Sequence, residues 1–242
     1  MMSTVWITGA SSGIGAQLAI DFAERGWNVI ACGRSQEKLE KLTQSHERIV
    51  ASTFDITNPE EVEFAIEAID QKPDCWVLNA GDCLYIDEGV INVDTFKHVM
   101  EVNFMGTINC LQAIQTRLRP GDHVVLTGSI ASELALPRAE AYGASKAALN
   151  YLFRSLQHDW KTKNIDMSLV MPGFVDTPLT KKNNFPMPMC ISVEQASKAM
   201  LTGILAKKPY IYFPRRFTGI IRFLSILPKE IQRRLVAHLV RS

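Results

Sequence analysis

Short apolar runs alternate with longer segments of helical periodicity along most of the chain. Runs rich in Val, Ile and aromatic residues predict seven strands, at residues 3–8, 28–32, 48–54, 74–79, 123–128, 165–171 and 209–213. Apolar residues three and four positions apart predict helices at 16–26, 35–45, 58–70, 93–117 in two pieces, 141–163 and 192–206. Such alternation is typical of a parallel sheet covered on both faces. The pattern predicts an α/β fold, a doubly wound parallel sheet in a single domain.

Two of the predicted helices carry start signals in the sequence. Asn58 is expected to cap the helix that follows it, with Pro59 at its first position and Glu61 at its third. Ser192 and Gln195 have the spacing of a capping box.

Residues 207–242 differ from the rest of the chain in charge. They hold nine Lys or Arg residues and one acidic residue, Glu230, a balance of +8, whereas the preceding 206 residues have a balance of −7. Two short amphipathic helices are predicted at 217–227 and 231–240, split at Pro228. Such helices can lie on an anionic membrane surface or pack on the parent domain or a partner subunit, and the pattern favours packing. We therefore divide the chain into a domain of residues 1–213 and a basic amphipathic extension of residues 214–242.

The bulk composition excludes several classes of protein. A length of 242 residues suits one domain, and a net charge of +1 gives no reason to expect nucleic acid as a partner. The five cysteines show neither a C-x-x-C pair nor a histidine cluster, which favours reduced thiols over disulfides or a metal site. The first strand begins near residue 3 and no long uncharged apolar stretch occurs, so we expect no signal peptide, no spanning helix and a cytoplasmic location, with peripheral contact to the inner face of a membrane left open.

A glycine-rich turn follows the first strand and opens the first helix. Its sequence is Gly9-Ala-Ser-Ser-Gly13-Ile-Gly15. Glycines let a backbone approach a ligand closely, and the N-terminus of a helix attracts anions. The turn therefore predicts a phosphate-bearing ligand, with six contact residues expected: Gly9, Ser11, Ser12, Gly13, Ile14 and Gly15.

A second group of residues predicts proton chemistry. Tyr142 and Lys146 are four positions apart in a predicted helix, so they share one of its faces. A neighbouring cation is expected to lower the pKa of a phenol towards neutral pH. Ser129, at the end of a predicted strand, can donate a hydrogen bond to a substrate oxygen. The alternative is a surface Tyr/Lys pair without catalytic function.

In these motifs the chain resembles the short-chain dehydrogenase/reductase family over about residues 3 to 213. The matching segments, in the family's order, are 8–15, Asp55, Asn79-Ala80-Gly81, Asn103, Ser129, Tyr142 with Lys146, and Pro172-Gly173. The resemblance implies a Rossmann-type fold and hydride transfer between a nicotinamide cofactor and a carbonyl or alcohol.

The resemblance also implies roles for particular residues. Tyr142 would donate the proton, Ser129 would hold the substrate oxygen, and Lys146 would contact the nicotinamide ribose. Asn103 would lie at a helix irregularity and hold a water molecule in a proton relay. The remaining cofactor contacts implied are Asp55, Ile56, Asn79, Ala80, Gly81, Pro172, Gly173, Val175 and Thr177.

The end of the second strand bears on cofactor choice. An acidic residue there would bind a ribose 2′-hydroxyl, but the chain has Cys32-Gly33-Arg34-Ser35. Arg34 can form a charge-assisted contact with a 2′-phosphate, so we expect NADP(H) to be preferred over NAD(H). The alternative is that Arg34 is a solvated loop residue.

The predicted substrate lid spans about residues 174–191. Phe185, Met187 and Met189 favour an apolar ketone or aldehyde, with Glu133, Leu134, Leu136 and Tyr142 expected to border the same cleft. The leading hypothesis is an NADPH-dependent carbonyl reductase. The alternatives are an NAD-dependent alcohol dehydrogenase and a non-catalytic nucleotide-sensing regulator. The resemblance further implies a homodimer or homotetramer formed through helices 103–118 and 141–163.

Overall fold

The computed structural model describes residues 3–183 and 185–241. Four residues lie outside the described ranges. They are Met1 and Met2 in the predicted domain of residues 1–213, Asn184 in the predicted lid, and Ser242 in the predicted extension. The strands are β1 (Thr4–Thr8), β2 (Asn28–Gly33), β3 (Ile49–Thr53), β4 (Cys75–Leu78), β5 (His123–Thr127), β6 (Asp166–Pro172) and β7 (Tyr210–Phe213). Each overlaps a strand predicted from the sequence, so those predictions are confirmed.

The helices also follow the predicted periodicity. They are α1 (Gly13–Glu24), α2 (Gln36–Thr43), α3 (Pro59–Glu67), α4 (Val93–Met100), α5 (Gly106–Ile114), α6 (Glu140–Thr162), α7 (Val193–Leu205), α8 (Arg215–Ser225) and α9 (Lys229–Arg241). A π-helical turn, Glu101–Met105, joins α4 to α5. Short 3₁₀ turns occur at Ile130–Ser132 and Thr180–Lys182.

The strands form one parallel sheet in the order β3-β2-β1-β4-β5-β6-β7. The order reverses between β1 and β4, because the chain first builds outward to β3 and then returns to the other side of β1. In doubly wound sheets of this kind, ligands bind beyond the carboxyl ends of the strands at the reversal. The topology therefore directs attention to the loops after β1 and β4.

Alternate side chains of each strand enter different cores. Val5 and Ile7 pack with Leu18 and Phe22 of α1 on one face of the sheet. Trp6, between them, belongs to the core on the opposite face. Because both faces of the inner strands are buried, these strands are apolar throughout rather than alternating, whereas the edge strand β3 exposes Val50, Ala51 and Thr53.

Both predicted helix starts are confirmed. The Asn58 side chain accepts hydrogen bonds from the backbone N–H groups of Glu60 and Glu61, with Pro59 in the first turn of α3. Ser192 and Gln195 form the reciprocal capping box of α7.

The basic extension packs on the parent domain through α8. Phe217 and Ile221 are buried against Ile130 and Leu134, which follow β5. The Gln232 side chain of α9 donates hydrogen bonds of 2.8 Å to the carbonyl oxygens of Ser225 and Leu227, and so holds α9 to the end of α8. Of the alternatives predicted for these helices, packing on the parent domain is therefore observed for the inner side of α8.

Candidate active site

The glycine turn brings the loops after β1 and β4 into close contact. Gly9 has a left-handed backbone (φ +68°), and a Cβ atom on it would lie 2.8 Å from the Cα of Ala80. A Cβ atom on Gly15 would lie 2.6 Å from the Asn79 side-chain nitrogen. Glycine is therefore needed at both positions, because any side chain would push the two loops apart.

The N-terminus of α1 opens onto a cleft formed by these loops. Ser12 occupies the N-cap position but makes no capping hydrogen bond through its side chain in the described structure. This end of α1 differs from those of α3 and α7, whose first N–H groups are satisfied by side-chain caps. Free N–H groups and the positive end of the helix dipole make the α1 terminus a suitable site for phosphate.

The loop after β4 is fixed to β1 through Thr8. The Thr8 hydroxyl accepts hydrogen bonds from the backbone N–H groups of Asn79 (2.9 Å) and Ala80 (3.1 Å). The Asn79 side chain donates to the Thr8 carbonyl at 3.2 Å. These bonds hold the Asn79–Gly81 segment in the wall of the cleft.

Arg34 and Asp55 lie together at the rim of the cleft. Their charged groups are 3.7 Å apart, and the Arg34 side chain is 65% exposed. Asp55 also accepts hydrogen bonds from the backbone N–H and the hydroxyl of Thr57. Arg34 is therefore placed at the cleft as predicted, but its charge is shared with a carboxylate that sequence spacing did not place beside it.

Nearly all of the predicted cofactor residues line this one cleft. They are Gly9, Ser11, Ser12, Gly13, Ile14, Arg34, Asp55, Ile56, Asn79, Ala80, Gly81, Tyr142, Lys146, Pro172, Gly173, Val175 and Thr177. Gly15 is the exception, because it lies behind the turn against Gly9 and Asn79. Gly15 therefore allows the start of α1 to pack closely against Gly9 and Asn79 and does not line the cleft.

Ser129, Tyr142 and Lys146 meet at the far end of the cleft. Ser129 is buried, and its hydroxyl accepts a hydrogen bond from the N–H of Ala131 at 3.1 Å. The Lys146 ammonium lies 5.8 Å from the centre of the Tyr142 ring and donates to the Thr127 carbonyl at 2.8 Å. The spacing of these residues in α6 thus places the phenol and the ammonium on one side of the helix, as predicted.

The pKa of Tyr142 differs from the expectation drawn from the sequence. Burial of the hydroxyl raises the pKa above its ordinary value, the nearby Cys83 thiol raises it further, and only the Ser129 hydroxyl lowers it. Lys146 is itself buried, which lowers its own pKa to about 8. The expected shift of the phenol pKa towards neutral pH is therefore contradicted in this structure, because desolvation raises the pKa and Lys146, which donates to the Thr127 carbonyl, is not among the groups that lower it.

Asn103 lies in the π-helical turn, so the predicted helix irregularity is confirmed. Its side chain accepts a hydrogen bond from the Asp82 N–H (2.7 Å) and donates to the Ser145 hydroxyl (2.9 Å). Ser145 in turn donates to the Tyr142 carbonyl at 2.7 Å. Asn103 therefore connects the loop after β4 to the backbone that carries Tyr142. Its predicted water relay stays a prediction.

Aromatic rings from distant segments pack on one another beside the catalytic residues, where Tyr85 lies within electrostatic range of Tyr142. Ring centres are separated by 5.1 Å for Tyr85–Phe185, 6.2 Å for Phe185–Phe174 and 5.2 Å for Phe174–Phe217. The Arg138 guanidinium lies over Phe185 and Tyr85 and bonds Asp87. Phe185 of the predicted lid therefore faces inward.

The other predicted cleft residues differ in their surroundings. Met189 is half exposed. Leu134 and Leu136 belong to the apolar cluster that also contains Phe174 and Phe217.

Sequence reasoning missed several residues of this site. Cys83 and Tyr85 lie within electrostatic range of Tyr142, and the Ser145 hydroxyl donates a hydrogen bond to the Tyr142 carbonyl. Cys83 and Tyr85 follow the Asn79–Gly81 motif directly, and their position in a loop after β4 was the available signal. Phe174 and Phe217 carried no signal, since nothing in their spacing shows that they touch.

Two further kinds of site do not occur among the described residues. No group of three or more His, Cys, Asp or Glu side chains is arranged to hold a metal ion there. Within the same residues, no helix has the length and apolar character needed to cross a bilayer.

Comparisons with known proteins identify the family to which this chain belongs. Residues 3–187 match the family model described as short chain dehydrogenase. An uncharacterized oxidoreductase of Myxococcus xanthus is 30% identical, over 94% of both chains. Dehydrogenase/reductase SDR family member 7B of Rattus norvegicus is 31% identical over 74% of this chain, and the match spans 59% of that relative's length.

Solved structures show the same architecture. A short chain dehydrogenase from Burkholderia cenocepacia, in complex with NADP, is 26% identical with a TM-score of 0.86, covering 97% of this chain and 98% of that one. A short chain dehydrogenase/reductase from Burkholderia phymatum, in complex with NAD, is 20% identical with a TM-score of 0.81, covering 91% and 92%. At that identity, the second likeness shows the fold alone. Because the family match covers most of the chain and the site has the expected arrangement, the chain belongs to the short chain dehydrogenase family and is an oxidoreductase.

Proposed function

We propose that the protein is an NADPH-dependent oxidoreductase that reduces an apolar ketone or aldehyde to an alcohol. The observation that carries the proposal is a single cleft with a phosphate-type helix terminus at one end. At the other end, Tyr142 and Lys146, a proton donor and a cation, line the cleft, and the buried Ser129 hydroxyl, a hydrogen-bond donor, is hydrogen bonded to Tyr142. This combination favours carbonyl reduction over nucleotide sensing alone, because a sensor has no need of a buried proton donor.

The residues of the cleft fit a nicotinamide dinucleotide. Gly9 and Gly15 allow the close approach of two loops, and the α1 terminus offers N–H groups to a pyrophosphate. Asp55, Ile56, Val175 and Thr177 line the same cleft. We expect the first two to contact the adenine and the last two the nicotinamide. The Burkholderia cenocepacia relative, whose structure contains NADP, supports the same assignment by its similarity.

The chain's own residues supply the proton chemistry. The bound cofactor supplies the hydride. Ser129 donates a hydrogen bond to the substrate oxygen and stabilises the negative charge that develops there. Tyr142 gives its proton to that oxygen, and its raised pKa keeps it protonated at neutral pH. Lys146 contributes a positive charge beside the phenol as the proton leaves.

Cofactor preference is proposed on the basis of Arg34. It lies at the end of β2 at the cleft rim, where no carboxylate occurs among residues 33–35. A 2′-phosphate would compete with Asp55 for the guanidinium, and the doubly charged group is the stronger partner. An NAD-dependent alcohol dehydrogenase is the alternative, since Asp55 partly neutralises Arg34 in this structure.

Assembly and domain division are proposed on the same terms. We propose a homodimer or homotetramer, because Met105 in the π-helical turn and Tyr151 of α6 expose apolar surface on the two predicted interface helices. Residues 214–242 are proposed to extend the domain of residues 1–213, because Phe217 and Ile221 complete an apolar cluster of that domain. The cytoplasmic location stays a prediction.

The test is a panel of apolar ketones and aldehydes, followed by the absorbance of NADPH. We expect NADPH oxidation that needs both a carbonyl substrate and Tyr142. Tight binding of NADPH with no turnover on any carbonyl would favour the sensing role. Faster turnover of alcohols with NAD than of carbonyls with NADPH would favour the oxidative alternative.

A further inference from the structure

Helices α8 and α9 carry large apolar side chains on their outward side. Phe223 is 62% exposed and Ile226 is 77% exposed. Five such residues define what we call the tail face: Ile220, Phe223, Ile226, Ile231 and Leu235. On most surface helices the outward residues are charged, as on α2, where Glu37, Lys38, Glu40 and Lys41 are exposed.

The orientation of α8 is fixed by its inner side. Phe217, Thr218 and Ile221 are buried, and the Thr218 hydroxyl donates to the Pro214 carbonyl at 2.9 Å. A rotation of α8 that buried Phe223 would therefore expose Phe217 and Ile221. The helix is apolar on two opposite sides, and packing on the domain accounts for only one of them.

Basic residues border the tail face. Arg215 and Arg216 begin α8, Arg233 and Arg234 lie on α9, and all four are exposed. They belong to the segment with a balance of +8, in a chain whose remainder has a balance of −7. An apolar strip bordered by arginines matches a lipid surface with negative headgroups, where the side chains enter the acyl boundary and the cations meet phosphate.

We propose that the tail face docks on an anionic phospholipid bilayer, with α8 and α9 lying in the plane of the interface. The charge of the segment argues against a second copy of the chain as the occupant. A two-fold contact would place the tail face of one copy, with its arginines, against the same arginines of the other. An anionic bilayer instead presents negatively charged headgroups to these arginines across the whole contact.

The tail face is the outer side of a helix whose inner side forms part of the substrate region. Phe217 contacts Phe174, and Phe174 contacts Phe185 of the lid. Docking would therefore hold the aromatic wall of the cleft close to the bilayer. Resting on the proposed carbonyl reductase function, we infer that the substrate is an apolar carbonyl compound dissolved in the membrane.

The docking test is cosedimentation of the full chain with lipid vesicles. One set is made of phosphatidylcholine and the other of phosphatidylcholine with an equal amount of phosphatidylglycerol. We expect binding to the anionic set, weakened by added salt because exposed charges are screened. Equal binding to both sets, or binding to neither, would overturn the proposal.

Two variants separate the apolar and the ionic contributions. Phe223→Glu should weaken binding to the anionic vesicles by about tenfold or more, because an inserted aromatic side chain is replaced by a charge. Arg216→Glu with Arg234→Glu should also weaken it, by removing cations that face the headgroups. The matched controls are Phe64→Glu on α3, where the phenylalanine is 74% exposed, and Lys198→Glu on α7; both should bind like the parent protein.

The size and thermal unfolding of each variant show whether a substitution has disturbed the fold or the assembly. Phe223→Glu should leave the unfolding midpoint and the oligomeric state unchanged, because the side chain faces solvent. Dissociation of an oligomer by Phe223→Glu would overturn the proposal, since the tail face would then be a subunit contact. Unchanged vesicle binding by this variant would also overturn it.

An activity measurement tests the inferred origin of the substrate separately. A long-chain methyl ketone is supplied in anionic vesicles, and butanone is supplied in solution. Phe223→Glu should slow turnover of the vesicle-borne ketone and leave butanone turnover unchanged. Equal loss with both ketones would overturn the inferred substrate origin. Absence of turnover in the parent protein would refute the reductase function, while the vesicle-binding result would stand.

Discussion

The two ends of the cleft are built in different ways. The cofactor end is made of backbone, because Gly9, Gly15 and the α1 terminus create it through close approach and N–H groups. The proposed substrate end is made of side chains, in which Tyr85, Phe174 and Phe217 come from segments far apart in the sequence. A surface made of backbone tolerates few changes and binds a constant ligand. One made of side chains can be altered by single substitutions, which suits the part of an enzyme that selects its substrate.

The largest effect should come from Tyr142→Phe, which acts where the two ends meet. The substitution keeps the ring and removes the proton, so turnover should fall by about 10³-fold or more. Cofactor affinity, measured by quenching of protein fluorescence, should stay nearly the same. Tyr151→Phe, on the exposed side of the same helix, is the control and should keep full activity. Near-normal activity of Tyr142→Phe would remove the assignment of the proton donor.

Phe217→Ala should be the most damaging change at the substrate end. It removes a buried ring that packs on Phe174 and should cost roughly 3 to 4 kcal/mol of the free energy of unfolding. The KM for an apolar ketone should rise while that for NADPH changes little. Phe223→Ala, on the outward side of α8, should change stability by less than about 0.5 kcal/mol. Urea unfolding and steady-state kinetics measure the pair. An equal rise of both KM values in Phe217→Ala would show that the two ends are not separable.

Lys146→Met should separate stability from activity. Burial lowers the pKa of Lys146 from 10.5 to about 8, so the unfolded chain holds this proton more tightly than the folded protein. In the parent protein this group makes stability rise with pH between about 8 and 10.5. The variant should lose turnover but gain roughly 2 kcal/mol at pH 7, after the lost bond to Thr127 is deducted.

The gain should shrink as pH rises through that window, because the parent protein then loses the cost of burying a charge. Urea unfolding of parent and variant at pH 7 and pH 10 measures the difference. A gain that is the same at both pH values would contradict the assignment. Reductive turnover of the parent should also decline as pH rises through about 8, where Lys146 loses its charge.

Gly15→Ala tests the cofactor end directly. The added methyl group would overlap the loop at Gly9 and Asn79, which should cost about 1 to 3 kcal/mol of stability and weaken NADPH binding. The matched control is Gly219→Ala in α8, where no atom lies within 4 Å of the added carbon and alanine favours the helix. Thermal unfolding compares the two. Equal behaviour of the two variants would show that the fit at the glycine turn is not tight.

Arg34→Asp should change cofactor selectivity rather than stability. The change removes a partner of the 2′-phosphate and adds an acceptor for a ribose hydroxyl, so the ratio of NADP to NAD efficiency should fall by about 10- to 100-fold. Lys38→Asp, one turn further on, makes the same change in charge on an exposed helix residue and should have a small effect. Unchanged selectivity in Arg34→Asp would mean that Asp55, not the cofactor, is the partner of Arg34.

The backbone-built part of the molecule could be predicted from the sequence. Strand runs, the cap at Asn58 and the glycine turn are local signals, because a few adjacent residues determine each of them. The pairing of Tyr142 with Lys146 could also be predicted, since helical spacing fixes it. Together with the resemblance to the family, these signals predicted 18 cofactor residues, of which 17 line one cleft, although their contacts with a cofactor stay proposals.

The remaining features depend on contacts between distant segments. No local rule shows that Phe217 reaches Phe174, or that the Arg138 guanidinium lies over both Tyr85 and Phe185. The pKa of Tyr142 was predicted in the wrong direction for the same reason. Its shift depends on how much protein surrounds the hydroxyl, which the spacing of Tyr142 and Lys146 does not report.

Gly173 gives the carboxyl-terminal helices a further significance. A Cβ atom at this position would lie 2.6 Å from the Phe217 ring, so the ring rests directly on the main chain that leaves β6. A chimera that takes its last helices from a relative would therefore need glycine at position 173 wherever a large ring occupies position 217. Chimeras that ignore this pairing should distort the segment that includes Val175 and Thr177. The sequence of α8 thus restricts which backbone conformations the segment after β6 can adopt.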